Sequence, residues 1–95
     1  MKKKTRGGSS KSTLLCMQEP VLRQLVQIAG FQEMTIWRSR KQEWHLSVTV
    51  TQRSQVVYLS TRRAPRSPRA FTRLEAALAA GQRIRATREV TLVVR

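Results

Sequence analysis

The sequence predicts a small α+β domain, a two-layer sandwich in which two helices cover one face of a mainly antiparallel sheet of four strands. Two segments repeat apolar residues at helical spacing, four segments alternate apolar and polar residues, and turn-forming residues separate these segments. Along the chain they follow the order α-β-β-β-α-β. The 95 residues suffice for one such domain. We therefore predict a single domain over residues 14–95, preceded by a disordered basic tail over residues 1–13.

The first predicted helix begins near Pro20, because proline suits the first turn of a helix, and it ends at Gly30. A short apolar run over residues 14–17 leads into it. Residues at spacing i, i+3, i+4 and i+7 give the helix one apolar face, namely Leu22, Leu25, Val26 and Ala29. This face is expected to pack on the sheet.

Three alternating segments joined by short polar turns then predict an antiparallel meander. The strands cover Glu33–Ser39, Trp44–Thr51 and Gln55–Thr61. The middle strand alternates most regularly, so its side chains divide between the core and the solvent. The residues expected to face the core are Trp44, Leu46, Val48 and Val50, and those expected to face water are His45, Ser47, Thr49 and Thr51.

The second helix is predicted from Pro68 to Gly81, with Ser67 as its N-cap and Gly81 as the residue that ends it. Its apolar stripe comprises Phe71, Leu74, Ala77 and Leu78. Arg69 and Arg73 are four residues apart, so we expect them to share another face of this helix. A last strand is predicted over Glu89–Arg95.

Charge is the strongest functional indication in the sequence. Nineteen Lys and Arg residues stand against five acidic residues, which gives a net charge of +14. A chain this basic repels itself unless an anionic partner neutralises it, and nucleic acid is the most frequent such partner. We expect DNA rather than RNA, although the sequence leaves both open. We expect no membrane association, because no segment is apolar enough to span a bilayer.

The sequence offers no catalytic set, so we predict that the protein is not an enzyme. Its five glutamates are scattered over different elements, and His45 is the single histidine. Cys16 is the single cysteine, which excludes an internal disulfide and a cysteine-based zinc site. We predict no metal and no cofactor. The basic start lacks the apolar stretch of a secretory signal, so we expect a cytoplasmic location.

The predicted binding residues are basic side chains that would contact backbone phosphates, mostly without regard to sequence. The main group comprises Arg62, Arg63, Arg66, Arg69 and Arg73. A second group just beyond the helix comprises Arg83, Arg85 and Arg88, and the tail adds Lys2, Lys3 and Lys4. A hairpin tip adds a further patch, Arg38, Arg40 and Lys41. The alternative interpretation is a solvated basic face on an ordinary core helix.

Two tryptophans flank the first predicted hairpin, Trp37 and Trp44. They are candidates for cross-strand neighbours that pack together or in the core. The alternative is a platform on which nucleobases stack. The sequence alone leaves the roles of both tryptophans and of His45 open.

One short motif carries a family resemblance. The segment reads Leu59-Ser60-Thr61-Arg62-Arg63, then Pro68-Arg69-Ala70-Phe71-x-x-Leu74-x-Ala76-Ala77. With the preceding helix and meander, it resembles small partition-associated accessory proteins of bacterial plasmids and integrative elements, which share an R-x-F-x-x-L-x-x-A core and a Lys-rich start. The resemblance covers Leu14 to Arg95, although Gln82–Arg88 is more basic than the family's helix end. It implies a role in plasmid maintenance, with DNA or a partition complex as partner.

A second resemblance is to the double-stranded-RNA-binding domain, which also runs α-β-β-β-α. In that domain a lysine cluster at the start of the second helix contacts phosphates. Arg66, Arg69 and Arg73 occupy a comparable place here, although the pattern differs and a further strand follows.

The leading hypothesis is therefore a non-enzymatic nucleic-acid-binding accessory protein of a plasmid or mobile element. The rival hypothesis is a protein-interaction module whose basic surface docks on an acidic partner, such as a partition ATPase. Open sheet edges would also allow a homodimer to form by strand addition.

Overall fold

A computed structural model describes residues 14–94 of the chain. Its elements, in order, are β1 (Cys16–Gln18), α1 (Glu19–Ala29), β2 (Phe31–Arg38), β3 (Trp44–Val50), β4 (Gln55–Ser60), α2 (Leu74–Ile84) and β5 (Thr91–Val93). A short 3-10 turn, Gln52–Ser54, joins β3 to β4. The predicted α+β class is confirmed, and the predicted tail lies outside the described residues.

The sheet has five strands in the order β1-β4-β3-β2-β5 and is mixed, so the predicted element order and antiparallel character were wrong in part. The inner meander β2-β3-β4 is antiparallel, as expected. Both outer strands pair in parallel, β1 with β4 and β5 with β2. The missed strand β1 has three residues, too few to show an alternating pattern. It forms because the Tyr58 N–H donates to the Leu15 carbonyl at 2.8 Å, which extends the pairing along β4.

Both helices pack against the same face of the sheet, as predicted. Leu22 and Val26 of α1 join the buried core with Ala77, Ala80 and Ile84 of α2. The sheet contributes Met34, Ile36, Leu46, Val48, Val50, Val57 and Leu59. The predicted end of α1 is confirmed at Gly30, whose φ of 89° favours glycine over any other residue.

The second helix begins at Leu74, six residues later than the predicted start at Pro68. The sheet holds the preceding residues in extended geometry. The Arg69 N–H donates to the Leu59 carbonyl at 2.7 Å, and Phe71 and Trp44 exchange two backbone hydrogen bonds of 2.8 Å. Ser67 is therefore not the N-cap, a position that Arg73 takes. Arg69 lies outside the helix, so the predicted shared helix face of Arg69 and Arg73 does not form.

Gly81 does not end α2, which continues to Ile84. Gly81 is buried inside the helix, where an added Cβ would lie 2.6 Å from the Met34 sulfur. A larger residue here would press on the Met34 thioether, because α2 approaches β2 closely at this point. The sequence pattern of a helix end thus marked a packing contact instead.

The sheet face opposite the helices is less exposed than the alternation predicted. His45, Ser47 and Thr49 retain only 9%, 4% and 8% of their accessible surface. These side chains belong to the central strand, and larger side chains of β2 and β4 flank them. Trp37 is opposite His45 in the sheet register, whereas Trp44 is opposite Arg38 and packs against the core. The two tryptophans therefore lie on opposite faces and are not packing neighbours.

Candidate nucleic-acid interface

A loop over residues 61–73, here called the arginine loop, connects β4 to α2 and carries the main group of predicted residues. Local turns shape its first half, and backbone hydrogen bonds anchor its second half on the sheet. The Ala64 N–H donates to the Thr61 hydroxyl at 3.1 Å, and the Ser67 N–H donates to the Ala64 carbonyl at 3.3 Å. The backbone bonds of Arg69 and Phe71 described above then hold its second half on the sheet. The loop is therefore an ordered platform for its side chains.

Four of the five arginines of the arginine loop are exposed to solvent. The exposed side chains are Arg62, Arg63, Arg66 and Arg73. Arg69 is half-buried, with its guanidinium carbon 4.5 Å from the centre of the Phe71 ring. Within residues 14–94, the recorded ion pairs involve none of these five arginines. Stacking leaves the in-plane N–H donors of Arg69 available for an anion.

The hairpin between β2 and β3 lies at the same end of the sheet as the arginine loop, because β4 ends where β3 begins. The Ser39 N–H donates to the Glu43 carbonyl at 2.8 Å, which closes the hairpin. Arg40 and Lys41 are exposed at its tip, and the Arg38 guanidinium lies 5.6 Å from the Trp44 ring centre. Residues 38–43 and 62–75 together hold eight cationic side chains and two carboxylates, Glu43 and Glu75. We call this region the basic end.

The basic end has the composition of a site for several phosphates. Guanidinium groups bind phosphate oxygens in a planar, bidentate geometry, and neighbouring cations raise the local potential together. Helix α2 begins directly after Arg73, so the positive end of its dipole adjoins this region. The sequence predicted the loop residues, whereas the fold brings the hairpin beside them.

The second predicted group lies elsewhere. Arg83 is within α2, and its guanidinium donates to the Glu19 carboxylate at 3.1 Å. Arg23 donates to the same carboxylate at 2.9 Å. The hydrogen bond from Arg83 is the main cause that lowers the pKa of Glu19 below its ordinary value. Arg85 stacks over Phe31, 5.3 Å from the ring centre, and Arg88 is exposed.

The predicted tail residues Lys2, Lys3 and Lys4 lie outside the described residues. The chain enters the described domain beside the arginine loop, since Leu14 lines a groove together with Arg66 and Pro65.

The sheet face opposite the helices, here called the open face, carries an aromatic cluster that the sequence did not reveal. The Trp37 and His45 rings stack with centres 4.4 Å apart, and the Tyr58 ring meets Trp37 edge to face at 5.8 Å. His45 is fixed by its own hydrogen bond, 2.9 Å from Nδ1 to the Arg69 carbonyl. Since a carbonyl only accepts, Nδ1 carries the proton. Tyr58 and Trp37 lie on this face, and their contact passes across β3 at the small Ser47.

No group of three or more His, Cys, Asp or Glu side chains within residues 14–94 is placed to hold a metal ion. Burial raises the pKa of the Cys16 thiol, which lowers its reactivity. Among the described helices, none is long and apolar enough to cross a membrane.

Comparison with protein-family models, with curated proteins and with solved structures found no match to this chain.

Proposed function

We propose that the protein binds nucleic acid and contacts backbone phosphates through the arginine loop. The observation that supports this most directly is the set of five loop arginines on an anchored backbone, with no recorded ion pair within residues 14–94. The adjoining hairpin adds Arg40 and Lys41. A surface with this excess of cations is costly to keep unless an anion neutralises it.

Binding through phosphates would depend mainly on charge and would be largely independent of base sequence. Each arginine that neutralises a phosphate releases condensed counterions, so affinity falls as salt rises. Arg69 is already held against Phe71 and therefore loses less side-chain freedom on binding than a fully mobile arginine. The proposed action requires no cofactor and no catalytic group.

We further propose DNA as the nucleic acid and the maintenance of a plasmid or mobile element as the cellular role. The support for this finer statement is the resemblance of the Arg69–Ala77 motif to partition-associated accessory proteins. In that setting the protein would act in the cytoplasm, with the basic tail extending the contact made by the folded domain.

The proposal is tested by replacing Arg62, Arg66 and Arg73 with Ala in one variant. All three side chains are exposed, so we expect the fold to be retained. Binding to a labelled random DNA duplex is followed by fluorescence anisotropy over a salt series. The slope of log affinity against log salt should become shallower by about 2.7, since each lost phosphate contact removes about 0.9. A protein that lacks residues 1–13 should still show a steep fall of log affinity with log salt, because the folded domain carries the arginine loop.

The matched control removes three charges elsewhere, with Arg53→Asn, Arg85→Gln and Arg88→Gln. Asparagine is chosen because Arg53 has a φ of 62°, which asparagine tolerates. In this control variant, the slope of log affinity against log salt should stay close to that of the wild type. An equal loss in both variants would mean that overall charge or the second predicted group, and not the arginine loop alone, accounts for binding. Steep wild-type binding that is unchanged in the loop variant would contradict the proposal.

A protein-interaction module is the second candidate function. The observation that favours it is the edge strand β5, where Leu92 keeps 50% of its surface and Val94 beside it keeps 56%. Such an edge can pair with a strand of an acidic partner or of a second copy. Capture of a partner that survives nuclease treatment would favour this candidate. Stronger competition by RNA duplex than by DNA duplex would instead favour double-stranded-RNA binding.

A further inference from the structure

We infer that the open face of the sheet binds an unpaired base of a single-stranded nucleic acid, with Trp37 as the stacking residue and Arg40 as the contact for the adjoining phosphate. This inference rests on the proposed function and specifies its ligand further. It concerns the groove on this face, whose lining includes Thr35, Trp37, Arg40, Ser47, Tyr58 and Val93.

The first argument is that Trp37, which lines the groove, is held in one orientation by its aromatic neighbours. His45 stacks on it at 4.4 Å and Tyr58 packs against it at 5.8 Å, so the indole keeps one orientation. His45 is itself fixed through the Arg69 carbonyl. Rigid aromatic surface binds bases of any sequence, since every base offers a π face, and it costs little side-chain entropy.

The second argument is the polar chemistry of the groove. The hydroxyl-bearing side chains of Thr35 and Ser47 lie in its lining beside the aromatic rings. The edge of a base carries carbonyl and ring-nitrogen acceptors for these two hydroxyl groups.

The third argument is charge and continuity. The groove lining contains no carboxylate, and Arg40 stands at its hairpin end. The same hairpin belongs to the basic end, so one strand can follow phosphates along the arginine loop and turn a base into the groove. Bases in a duplex remain paired and stacked, which keeps them from this face. We therefore assign the groove to a single strand.

The test uses the fluorescence of Trp37 in the full chain carrying Trp44→Phe, which leaves Trp37 as the single tryptophan. The probes are oligothymidylate, its abasic analogue of equal length, and a random DNA duplex. Oligothymidylate should quench the emission, and the abasic strand should not. Replacing Trp37 with Ala should weaken oligothymidylate binding about tenfold by anisotropy, the effect of one lost stacked base, and should leave duplex binding unchanged.

Two control variants separate stacking from folding. Trp37→Phe keeps an aromatic ring and should recover most of the lost affinity. Ile28→Ala removes a side chain that is 79% exposed on α1, away from the groove, and should bind like the wild type. Circular dichroism checks that each variant is folded.

Two results would overturn the inference. One is equal affinity for oligothymidylate and the abasic strand, and the other is a folded Trp37→Ala variant that binds oligothymidylate like the wild type. If duplex binding through the arginine loop persists in either case, the inference alone fails. If the wild type binds neither single strand nor duplex, the proposed function fails with it.

Discussion

The arginines of the basic end and those at the junction of α1 and α2 differ in what neutralises them. At the junction, Glu19 accepts hydrogen bonds from both Arg23 and Arg83, and the Arg23 side chain also donates to the Arg83 carbonyl at 3.0 Å. In the arginine loop, the side chains stand on an anchored backbone with no recorded carboxylate partner among residues 14–94. The amino-acid composition does not separate the two groups, since both consist of arginines. Their partners do: the junction arginines pair with Glu19 and join two helices, whereas the loop arginines are available to an external anion.

The largest effect on this comparison should come from Phe71→Ala. Phe71 is buried, supports the Arg69 guanidinium and pairs with Trp44. Truncating a buried Phe costs about 3–5 kcal/mol of unfolding free energy, which urea denaturation measures. In the fraction that stays folded, DNA affinity should also fall because Arg69 loses its support. Retained stability would show that the ring does not anchor the loop.

A moderate effect is expected for Glu19→Gln, which removes the shared charge at the junction. Its arginine partners are half exposed, so the melting temperature should drop by only about 2–5 °C. Affinity for DNA should stay the same or rise slightly, because two guanidinium groups lose their carboxylate. A marked gain in affinity would place the junction arginines in the binding surface and erase the distinction. The Arg83→Gln variant should lower the melting temperature as much as Glu19→Gln does, but it should not raise the affinity for DNA.

The smallest effect concerns pH. The pKa of Glu19 is lowered in the folded protein, chiefly by the hydrogen bond from Arg83. The ionised carboxylate thus contributes stability that is fully present above the unfolded value near 4.5 and is lost as the pH falls through the lower folded value. The difference in melting temperature between wild type and Glu19→Gln should therefore shrink below pH 4.5 and then vanish. A difference that persists at lower pH would have another origin.

The sequence predicted those elements whose structure depends on neighbouring residues in the chain. Strict alternation indicated β3, and the apolar spacing with Gly30 indicated α1. The start of α2 was missed because the pairing of Phe71 with Trp44 overrides the helix signal of Ser67 and Pro68. Gly81 was wrongly predicted to end α2, because the sequence does not show that Met34 packs against this position.

The sequence predicted which arginines belong to the candidate site, but it did not predict which other parts of the chain lie beside them. A run of arginines without acids indicated the arginine loop. Its neighbour, the hairpin, joins it only because β4 ends beside the start of β3. The aromatic cluster remained hidden because contact between Trp37 and Tyr58 depends on the twist and spacing of three strands, and because His45 is covered where alternation indicates water.

The close approach at Gly81 has a mechanical consequence for the other end of α2. Gly81 holds the helix axis against Met34, and Arg73 lies eight residues earlier, about 12 Å along the helix. An added methyl group at Gly81 would meet the Met34 sulfur, so either this flexible side chain or α2 itself would have to shift. A shift of α2 would carry Arg73 with it, because Arg73 directly precedes the first turn of the helix. The position of one loop arginine is thus coupled to packing in the core, at the one residue of α2 that has no side chain.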